Sequence, residues 1–302
     1  MIGTEFLPGQ GLGNRLFCYV TARAAAARAG ATFCTAGWEH MNADFLALDP
    51  GVQVGDPKAL HRYDEADRRL YLKTCAHDMV HGCFVADADP GVMTVEDNTL
   101  LYGNLQAEAY FAPYRKELSE WLRVREEYES DEFMRDDLCI INVRGGEYAG
   151  EDALFLPQRY YVRAMRHMQR LYGPLRFMVV TDDEETAGKL LPGIPAHHFS
   201  PAKDYVTLKN ARYLILSNSS FGVFPAMTSE VVQKVIAPKY WARYNVSDGY
   251  WSSPQNIYSG FDYLGRDGKL CSGEQCRAEL AAYVYPETEP WEAQDPEVAR
   301  VR

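Results

Sequence analysis

Apolar and polar residues follow one another along the chain in a pattern that predicts strands and helices in turn. Residues 2–7 are a short apolar run, residues 8–14 form a glycine-rich turn, and residues 15–29 have the alanine-rich composition of a helix. Gly30 suits a helix C-terminus, and residues 31–34 predict the next strand. A strand, a helix and a strand in this order predict a βαβ unit and therefore a parallel sheet.

The same alternation returns in the second half of the chain. Apolar runs predict strands, and apolar residues at helical spacing predict the helices between them. The strands are predicted at 138–143, 175–181 and 213–217, and the helices at 157–172, 184–191, 204–211 and from Gly222.

Between these two regions, residues 105–128 also have helical spacing of their apolar side chains. The acid-rich segment 126–137 is the best linker candidate. We therefore predict an N-terminal domain over residues 1–135, a C-terminal domain over residues 136–285 and an acidic tail over residues 286–302 whose composition suits disorder.

Polar side chains follow each predicted strand of the second half. Arg144 comes after the first strand, Asp182 after the second, and the run Asn218-Ser-Ser-Phe221 after the third. In open α/β sheets, ligands bind at the carboxyl ends of the strands. The sequence thus predicts an α/β protein with two Rossmann-like halves and a ligand cleft between them.

Composition narrows the range of functions. The 302 residues are 47% hydrophobic and carry a net charge of −11, which disfavours a general nucleic-acid binder. Because the first thirty residues lack a basic segment followed by an apolar core, and no run of about 18 apolar residues occurs, we expect a cytoplasmic protein.

Several patterns that could bind a metal or a cofactor have simpler interpretations. The four residues Cys75, His77, His81 and Cys83 could form a zinc tetrahedron, but the segment also reads as a strand and turn on which they would not converge. The Asp87-Ala-Asp89 spacing could suit a divalent cation, yet a proline and a glycine follow it, which favours a turn. The seven cysteines are odd in number and scattered along the chain, which favours reduced thiols.

The glycine turn at residues 9–13 has a weak likeness to a dinucleotide-binding fingerprint. Its spacing differs from Gly-x-Gly-x-x-Gly, and no acidic residue ends the next strand, which disfavours a nicotinamide enzyme. The glycines would also allow the backbone to approach a substrate, with Asn14 near a helix N-terminus. A purely structural tight turn is the alternative.

The strand that ends at Arg144 is the most informative feature. Alternation places Asn142 and Arg144 on one face, and two polar residues there need a ligand, water or a carboxylate as partner. A guanidinium followed by glycines suits a phosphate, whereas an ion pair with an Asp or Glu is the alternative. For Ser219 and Ser220, a simple helix cap is the alternative to ligand binding.

Taken in order, these segments resemble the α-1,2-fucosyltransferase family of bacteria and animals. The segments 9–17, 103–111 and 142–148 are similar to its Gly-Gly-Leu-Gly-Asn-Gln-Leu-Phe, Gly-Tyr-Trp-Gln-Ser-x-x-Tyr-Phe and His-x-Arg-Arg-Gly-Asp-Tyr motifs. Four further segments fall in the family's order, at 156–161, 181–183, 218–221 and 236–241. The chain departs from the pattern at Arg15, Asn142, Gly145 and Glu147.

The resemblance implies a GT-B-like fold that transfers fucose from GDP-fucose with inversion, without a metal or other cofactor. By family match, Arg144 would bind the pyrophosphate, Asn142 the nucleotide or sugar, and Asp204 the guanine N–H groups. Oriented N–H groups at the serine turn would assist Arg144. The remaining substrate-binding residues would be Gly11, Gly13, Asn14, Asp182, Ser219, Ser220 and Phe221.

A base must accept the acceptor's proton, and Glu147, at the family's Asp position, is the candidate, with Glu151 and Asp152 behind it. The alternative is that Glu147 orients Arg144. The resemblance implies a glycan acceptor such as a terminal galactoside, and peripheral membrane contact if that acceptor is lipid-linked. A different donor, or a catalytically weak sugar-nucleotide-binding protein, is the alternative that the departures raise.

Overall fold

The computed structural model describes residues 1–66, 70–72, 88–151, 154–239, 256–282 and 288–290. Its first sheet belongs to the N-terminal half and contains five parallel strands in the order β3-β2-β1-β6-β4. The predicted βαβ unit is confirmed, because β1 and β2 pair in parallel on either side of a helix. The strands are β1 Ile2–Glu5, β2 Phe33–Ala36, β3 Val52–Gln53, β4 His61–Asp64 and β6 Thr99–Tyr102.

The second sheet belongs to the C-terminal half and has seven strands in the order β13-β12-β11-β10-β7-β8-β9. All of its neighbouring strands are parallel except β12 and β13. The strands are β7 Leu138–Val143, β8 Arg176–Thr181, β9 Ala196–His197, β10 Tyr213–Ile215, β11 Lys234–Pro238, β12 Asp262–Leu264 and β13 Leu270–Ser272. The α/β class with two parallel-sheet halves is therefore confirmed.

The helices lie mostly where the apolar spacing predicts them. They are α1 Leu12–Ala29, α2 Leu118–Trp121, α3 Gln158–Tyr172, α4 Glu184–Leu190, α5 Pro201–Lys209, α6 Val223–Thr228 and α7 Gly273–Ala282. The long helix predicted over residues 105–128 is wrong, because this stretch is a series of short 3-10 turns around α2. Its apolar side chains Tyr110, Phe111 and Leu118 are nonetheless buried. The spacing of the apolar residues therefore indicated which side chains are buried, but not that they lie on a helix.

Helix α1 joins the two halves into one core. Twelve of its residues are buried, which is more than an amphipathic surface helix would bury. The Phe17 ring lies 4.5 Å from Phe224 of α6 and 6.0 Å from Tyr258, both in the second half, and 6.2 Å from Phe111 in the first. The alanine-rich sequence allows this close packing on several sides of the helix.

Strand β7 lies in the middle of the second sheet, between β10 and β8. All six of its residues are buried, as the continuous apolar run predicts for a strand covered on both faces. The strand therefore carries Arg144 to a fixed position at the carboxyl edge of the sheet, beside the ends of β8 and β10.

A third, two-stranded sheet pairs β5, Leu70–Leu72, antiparallel with β14, Thr288–Pro290. Three residues of the predicted acidic tail are thus in a strand, and residues 291–302 lie outside the described residues. All strands of the first sheet precede residue 135 and all strands of the second sheet follow it, while the domain boundaries themselves stay a prediction. None of the helices in the described ranges has the length and apolar character needed to cross a bilayer.

Candidate active site

A cavity of about 940 Å³ lies between the two halves. Its walls are the β1–α1 turn of the first half and the carboxyl ends of β7, β8, β9 and β10 in the second. All eleven residues assigned to catalysis or substrate binding line this cavity, whereas Glu151, a further base candidate, is not among its lining residues. The eleven residues are Gly11, Gly13, Asn14, Asn142, Arg144, Glu147, Asp182, Asp204, Ser219, Ser220 and Phe221.

Arg144 is held at the carboxyl edge by two carboxylates. Its guanidinium lies 2.5 Å from Asp182 Oδ2 and 2.9 Å from Glu147 Oε1. The ion pair with protein acids, which the sequence left open as an alternative, is therefore formed. About a third of the Arg144 side chain remains exposed in the cavity, so the guanidinium is also accessible to an anionic ligand.

The two glycines after Arg144 allow Asp182 and Asp183 to approach the turn. The Gly145 N–H donates to Asp182 Oδ1 at 2.8 Å, and Gly146 adopts a positive φ of 38°. A Cβ at position 145 would lie 2.8 Å from Asp183 Cβ, and one at position 146 would lie 2.7 Å from Asp182 Oδ2. A side chain at either position would thus collide with one of these two aspartates.

Glu147 is exposed, with 74% of its side chain accessible. Within the described ranges its carboxylate contacts Arg144, which donates to Oε1 at 2.9 Å. Tyr148 lies next to it, with its ring 5.5 Å from the Arg144 guanidinium carbon. Burial raises the pKa of Tyr148, and the nearby Arg144 opposes that rise. Glu147 thus makes the contact with Arg144 that the orienting alternative requires, while both its orienting role and its role as base stay predictions.

Asn142 points its amide into the protein. Its Oδ1 accepts a hydrogen bond from Ser217 Oγ at 2.9 Å, and its Nδ2 donates to Val180 O at 3.4 Å. It is 5% exposed, although it lines the cavity. Asn142 thereby ties β7 to β8 and to the end of β10, and both ends of its amide already have protein partners.

The serine turn contacts the glycine turn of the first half. Ser219 Oγ accepts from Phe221 N at 3.4 Å, which is the cap that the sequence left as the alternative to ligand binding. Ser220 Oγ donates to Asn14 Oδ1 at 2.7 Å across the cleft. A Cβ at Gly13 would lie 2.5 Å from Phe221 N, so this glycine allows the two halves to touch.

Asn14 belongs to a chain of amide groups along one wall of the cavity. Its Oδ1 also accepts from Gln106 Nε2 at 3.0 Å, and Gln106 Oε1 accepts from Asn256 Nδ2 at 3.3 Å. Since its oxygen has two protein donors, the Asn14 amide nitrogen is the group that could donate to a ligand. The N-terminus of α1, where Gly11 provides no side-chain cap, lies beside it.

Asp204 also lines the cavity and is 4% exposed. Its Oδ1 accepts from Phe199 N at 3.1 Å, and its Oδ2 is 2.9 Å from His198 Nδ1. Burial raises the pKa of Asp204, and these two hydrogen bonds partly oppose the rise. His198 lines the cavity as well, and sequence reasoning missed it. A predicted strand ending at His197 would have placed His198 at the carboxyl edge of the sheet. Strand β9 has only two residues, which is too short for a recognisable strand pattern.

Arg15 occupies an unusual place for a cation. It is 6% exposed in the first turn of α1, and burial lowers its pKa. Its guanidinium donates to Leu7 O at 3.4 Å, and within the described ranges its Nε has no partner. A buried charge at the positive end of a helix is unfavourable, so the charge of Arg15 opposes stability.

Asp183, next to the site, caps α4. Its carboxylate accepts from Thr186 N at 3.0 Å and from Thr186 Oγ1 at 2.6 Å, which lowers the pKa of Asp183. We expect Asp183→Ala to lower the free energy of unfolding by about 1 kcal/mol. Because the pKa is lower in the folded chain than the unfolded value of about 3.9, this difference is fully present above that value and shrinks as the pH falls.

Urea denaturation of the wild type and of Asp183→Ala at about pH 7 and about pH 3 measures this difference. The same destabilisation at both pH values would contradict a cap that depends on the charged carboxylate.

The part of the chain that the structure describes contains none of the metal sites considered from the sequence. No group of three or more His, Cys, Asp or Glu side chains there could hold an ion. Cys75, His77, His81, Cys83, Asp87 and the secondary base candidate Asp152 lie outside the described residues. Asp89 is described, and its Oδ1 accepts from Gly91 N at 2.8 Å, which confirms the expected turn.

A scan against models of protein families finds no match, and a search of curated proteins finds none either. Among solved structures, the fucosyltransferase NodZ from Bradyrhizobium is 15% identical, with 78% of this chain and 94% of that chain covered and a TM-score of 0.45. The NodZ alpha-1,6-fucosyltransferase co-crystallized with GDP is 14% identical, with the same coverage and a TM-score of 0.46. POFUT1 in complex with GDP-fucose is 11% identical, with 78% and 98% covered and a TM-score of 0.40. These solved structures are what the chain is similar to, at low identity.

Proposed function

We propose that this protein is a glycosyltransferase that moves fucose from GDP-fucose to a hydroxyl group of a glycan, with inversion and without a metal ion. The observation that carries the proposal is Arg144, whose guanidinium faces a cavity between two parallel-sheet halves. The resemblance of the sequence motifs, in their order along the chain, supports GDP-fucose as the donor. A bacterial cytoplasm is the proposed location.

In this reaction the bond between fucose C1 and the β-phosphate oxygen breaks, and its electron pair stays on the pyrophosphate. The leaving group therefore gains negative charge, which an enzyme without a metal must stabilise with cations and oriented N–H groups. Arg144 supplies a guanidinium, the Ser219–Phe221 turn supplies N–H groups, and the N-terminus of α1 at Gly11–Asn14 faces them across the cleft. The pyrophosphate would lie where these three elements meet.

The acceptor hydroxyl would attack C1 from the face opposite the leaving group, and its proton would go to Glu147. Glu147 is bonded to Arg144 through Oε1. A pyrophosphate near Arg144 competes for the same guanidinium and would leave the Glu147 carboxylate free to accept the proton. The orienting role and the base role then belong to successive stages of one reaction.

By resemblance, the linkage would be α-1,2 and the acceptor a terminal galactoside, entering beside the loops of the first half. A lipid-linked acceptor would bring the protein to a membrane surface without a spanning segment. Among the substrate-binding residues, Asp204 and Asp182 would border the nucleoside end of the donor.

A second candidate is a sugar-nucleotide-binding protein with weak activity or with a different donor. The pairing of Arg144 with two carboxylates favours it, because the acids reduce the positive charge available to a pyrophosphate. Gly145, in place of the second arginine of the motif, reduces that charge further.

Calorimetry with GDP, ADP and UDP, followed by incubation of GDP-fucose with a panel of β-galactosides, tests the proposal. We expect GDP to bind more tightly than ADP and UDP, and GDP to be released only when an acceptor is present. Tight GDP binding without release would favour the second candidate. Absence of GDP binding would contradict both.

A further inference from the structure

His198 lines the cavity but belongs to none of the sequence motifs. The chain leaves the edge strand β9 at His197 and enters α5 at Pro201, so His198 belongs to the same carboxyl edge as Arg144 and Asp182. Its side chain is 47% exposed and lines the cavity. The imidazole is thus both fixed to the sheet and accessible from the cleft.

Four contacts hold His198 and the residues around it in place. The ring Nδ1 lies 2.9 Å from Asp204 Oδ2, and the backbone N–H of His198 donates to Glu184 Oε1 at 2.7 Å. Asp204 is itself fixed, because its other oxygen accepts from Phe199 N. Phe199 stacks on His197, with ring centroids 5.1 Å apart. A histidine held in this way has a defined tautomer and direction.

The charged groups around His198 come from three elements. Asp204 on α5 contacts the ring, Glu184 at the start of α4 contacts its backbone, and Asp182 at the end of β8 is near enough to Asp204 to influence its pKa. Lys203 of α5 lies over the Phe199 ring, 4.4 Å from its centroid. The groups that contact His198 directly are both acids.

The second ring nitrogen is available to a ligand. Within the described ranges, Nε2 of His198 has no hydrogen-bond partner. With Nδ1–H donating to the Asp204 carboxylate, the neutral ring presents Nε2 to the cavity as an acceptor. When the ring is protonated, Nε2 carries a hydrogen and becomes a donor.

We propose that His198 Nε2 accepts a hydrogen bond from the 2-amino group of the donor's guanine, and that Asp204 acts through His198 as a positioning residue. This inference rests on the proposed function, since it names the group that reads the base of GDP. Both Asp204 oxygens already accept protein hydrogen bonds, whereas the exposed imidazole has a nitrogen to offer. Guanine would thereby be distinguished from a base that lacks the amino group.

The affinities for GDP and for inosine diphosphate, which lacks only the 2-amino group, test this role. For the wild type we expect about tenfold higher affinity for GDP than for inosine diphosphate, which corresponds to the net contribution of one hydrogen bond. His198→Phe keeps a ring but removes the acceptor, and should bring the ratio close to one. His198→Gln, a smaller polar change, checks that any loss is not a folding defect.

Asp204→Asn is the matched variant for the positioning role. An amide oriented with its NH₂ toward Nδ1 would reverse the tautomer, so Nε2 would become a donor and the preference for GDP should fall as in His198→Phe. If the preference survives in His198→Phe and disappears only in Asp204→Asn, Asp204 contacts the base directly and the proposal is wrong.

The ratio of the two affinities is a readout that a purely structural role would not move, because a general loss of binding weakens GDP and inosine diphosphate alike. One outcome would overturn this inference and leave the proposed function standing. In that outcome Arg144→Ala loses GDP binding, while His198→Phe keeps the wild-type ratio of GDP to inosine diphosphate affinity.

Discussion

Arg144→Ala should weaken GDP binding by about 30-fold, because a charge-assisted hydrogen bond to an anion contributes about 2 kcal/mol. The loss has two causes. The pyrophosphate would lose its cationic partner, and Asp182 and Glu147, now without the guanidinium, would repel it. Titration calorimetry of GDP with the purified variant measures the change.

Arg176→Ala is the matched control for this experiment. Arg176 also forms an ion pair with an acid, Asp137, but it lies at the opposite, amino end of β8 and is 58% exposed. We expect its removal to leave GDP affinity unchanged. Arg144→Lys separates charge from shape, because lysine keeps the charge but lacks the planar fork. Equal GDP affinity in Arg144→Ala and the wild type would remove the basis of the proposed function.

Gly13→Ala should lower the free energy of unfolding by about 1–3 kcal/mol, the usual cost of inserting atoms into a packed contact. A Cβ at this position would lie 2.5 Å from the backbone of Ser220 and Phe221, and backbone there has little room to shift. The two halves would have to separate slightly. The Asn14 to Ser220 hydrogen bond, 2.7 Å long, should weaken with them.

Gly11→Ala supplies the control within the same turn. Gly11 has an extended conformation with φ of −68°, and nothing lies within 4 Å of an added Cβ. We therefore expect its free energy of unfolding to stay within about 0.5 kcal/mol of the wild type. Urea denaturation of both variants measures the difference, and similar values for the two would contradict the close approach at Gly13.

The strands of the second half could be predicted from the sequence because each corresponds to a short continuous run of apolar residues. Strand β7 has the predicted bounds, since a continuous buried run followed by an arginine and glycines has few other interpretations. Residues 105–128 could not be predicted in this way. Successive 3-10 turns bury side chains at nearly the same spacing as a helix, and Pro113 within the segment interrupts a continuous one.

The position of the site could be predicted, but the partners of its residues could not. Arg144 and Asp182 lie at neighbouring strand ends, as parallel strands require. The contact between Asn14 and Ser220 joins residues 206 positions apart, and a single sequence contains no signal for it. Gly13 is an example. The glycine-rich sequence around it suggested a turn that binds a ligand, but the atoms nearest to an added Cβ belong to the protein backbone.

The position of α1 has a consequence for how the chain folds. This helix is covalently part of the first βαβ unit, yet Phe17 packs on Phe224 and Tyr258 of the other half. A fragment ending near residue 135 would expose this ring to water, at a cost of about 1.5–3 kcal/mol for one large apolar side chain. Neither half therefore completes its core alone, and the two should unfold in one cooperative transition.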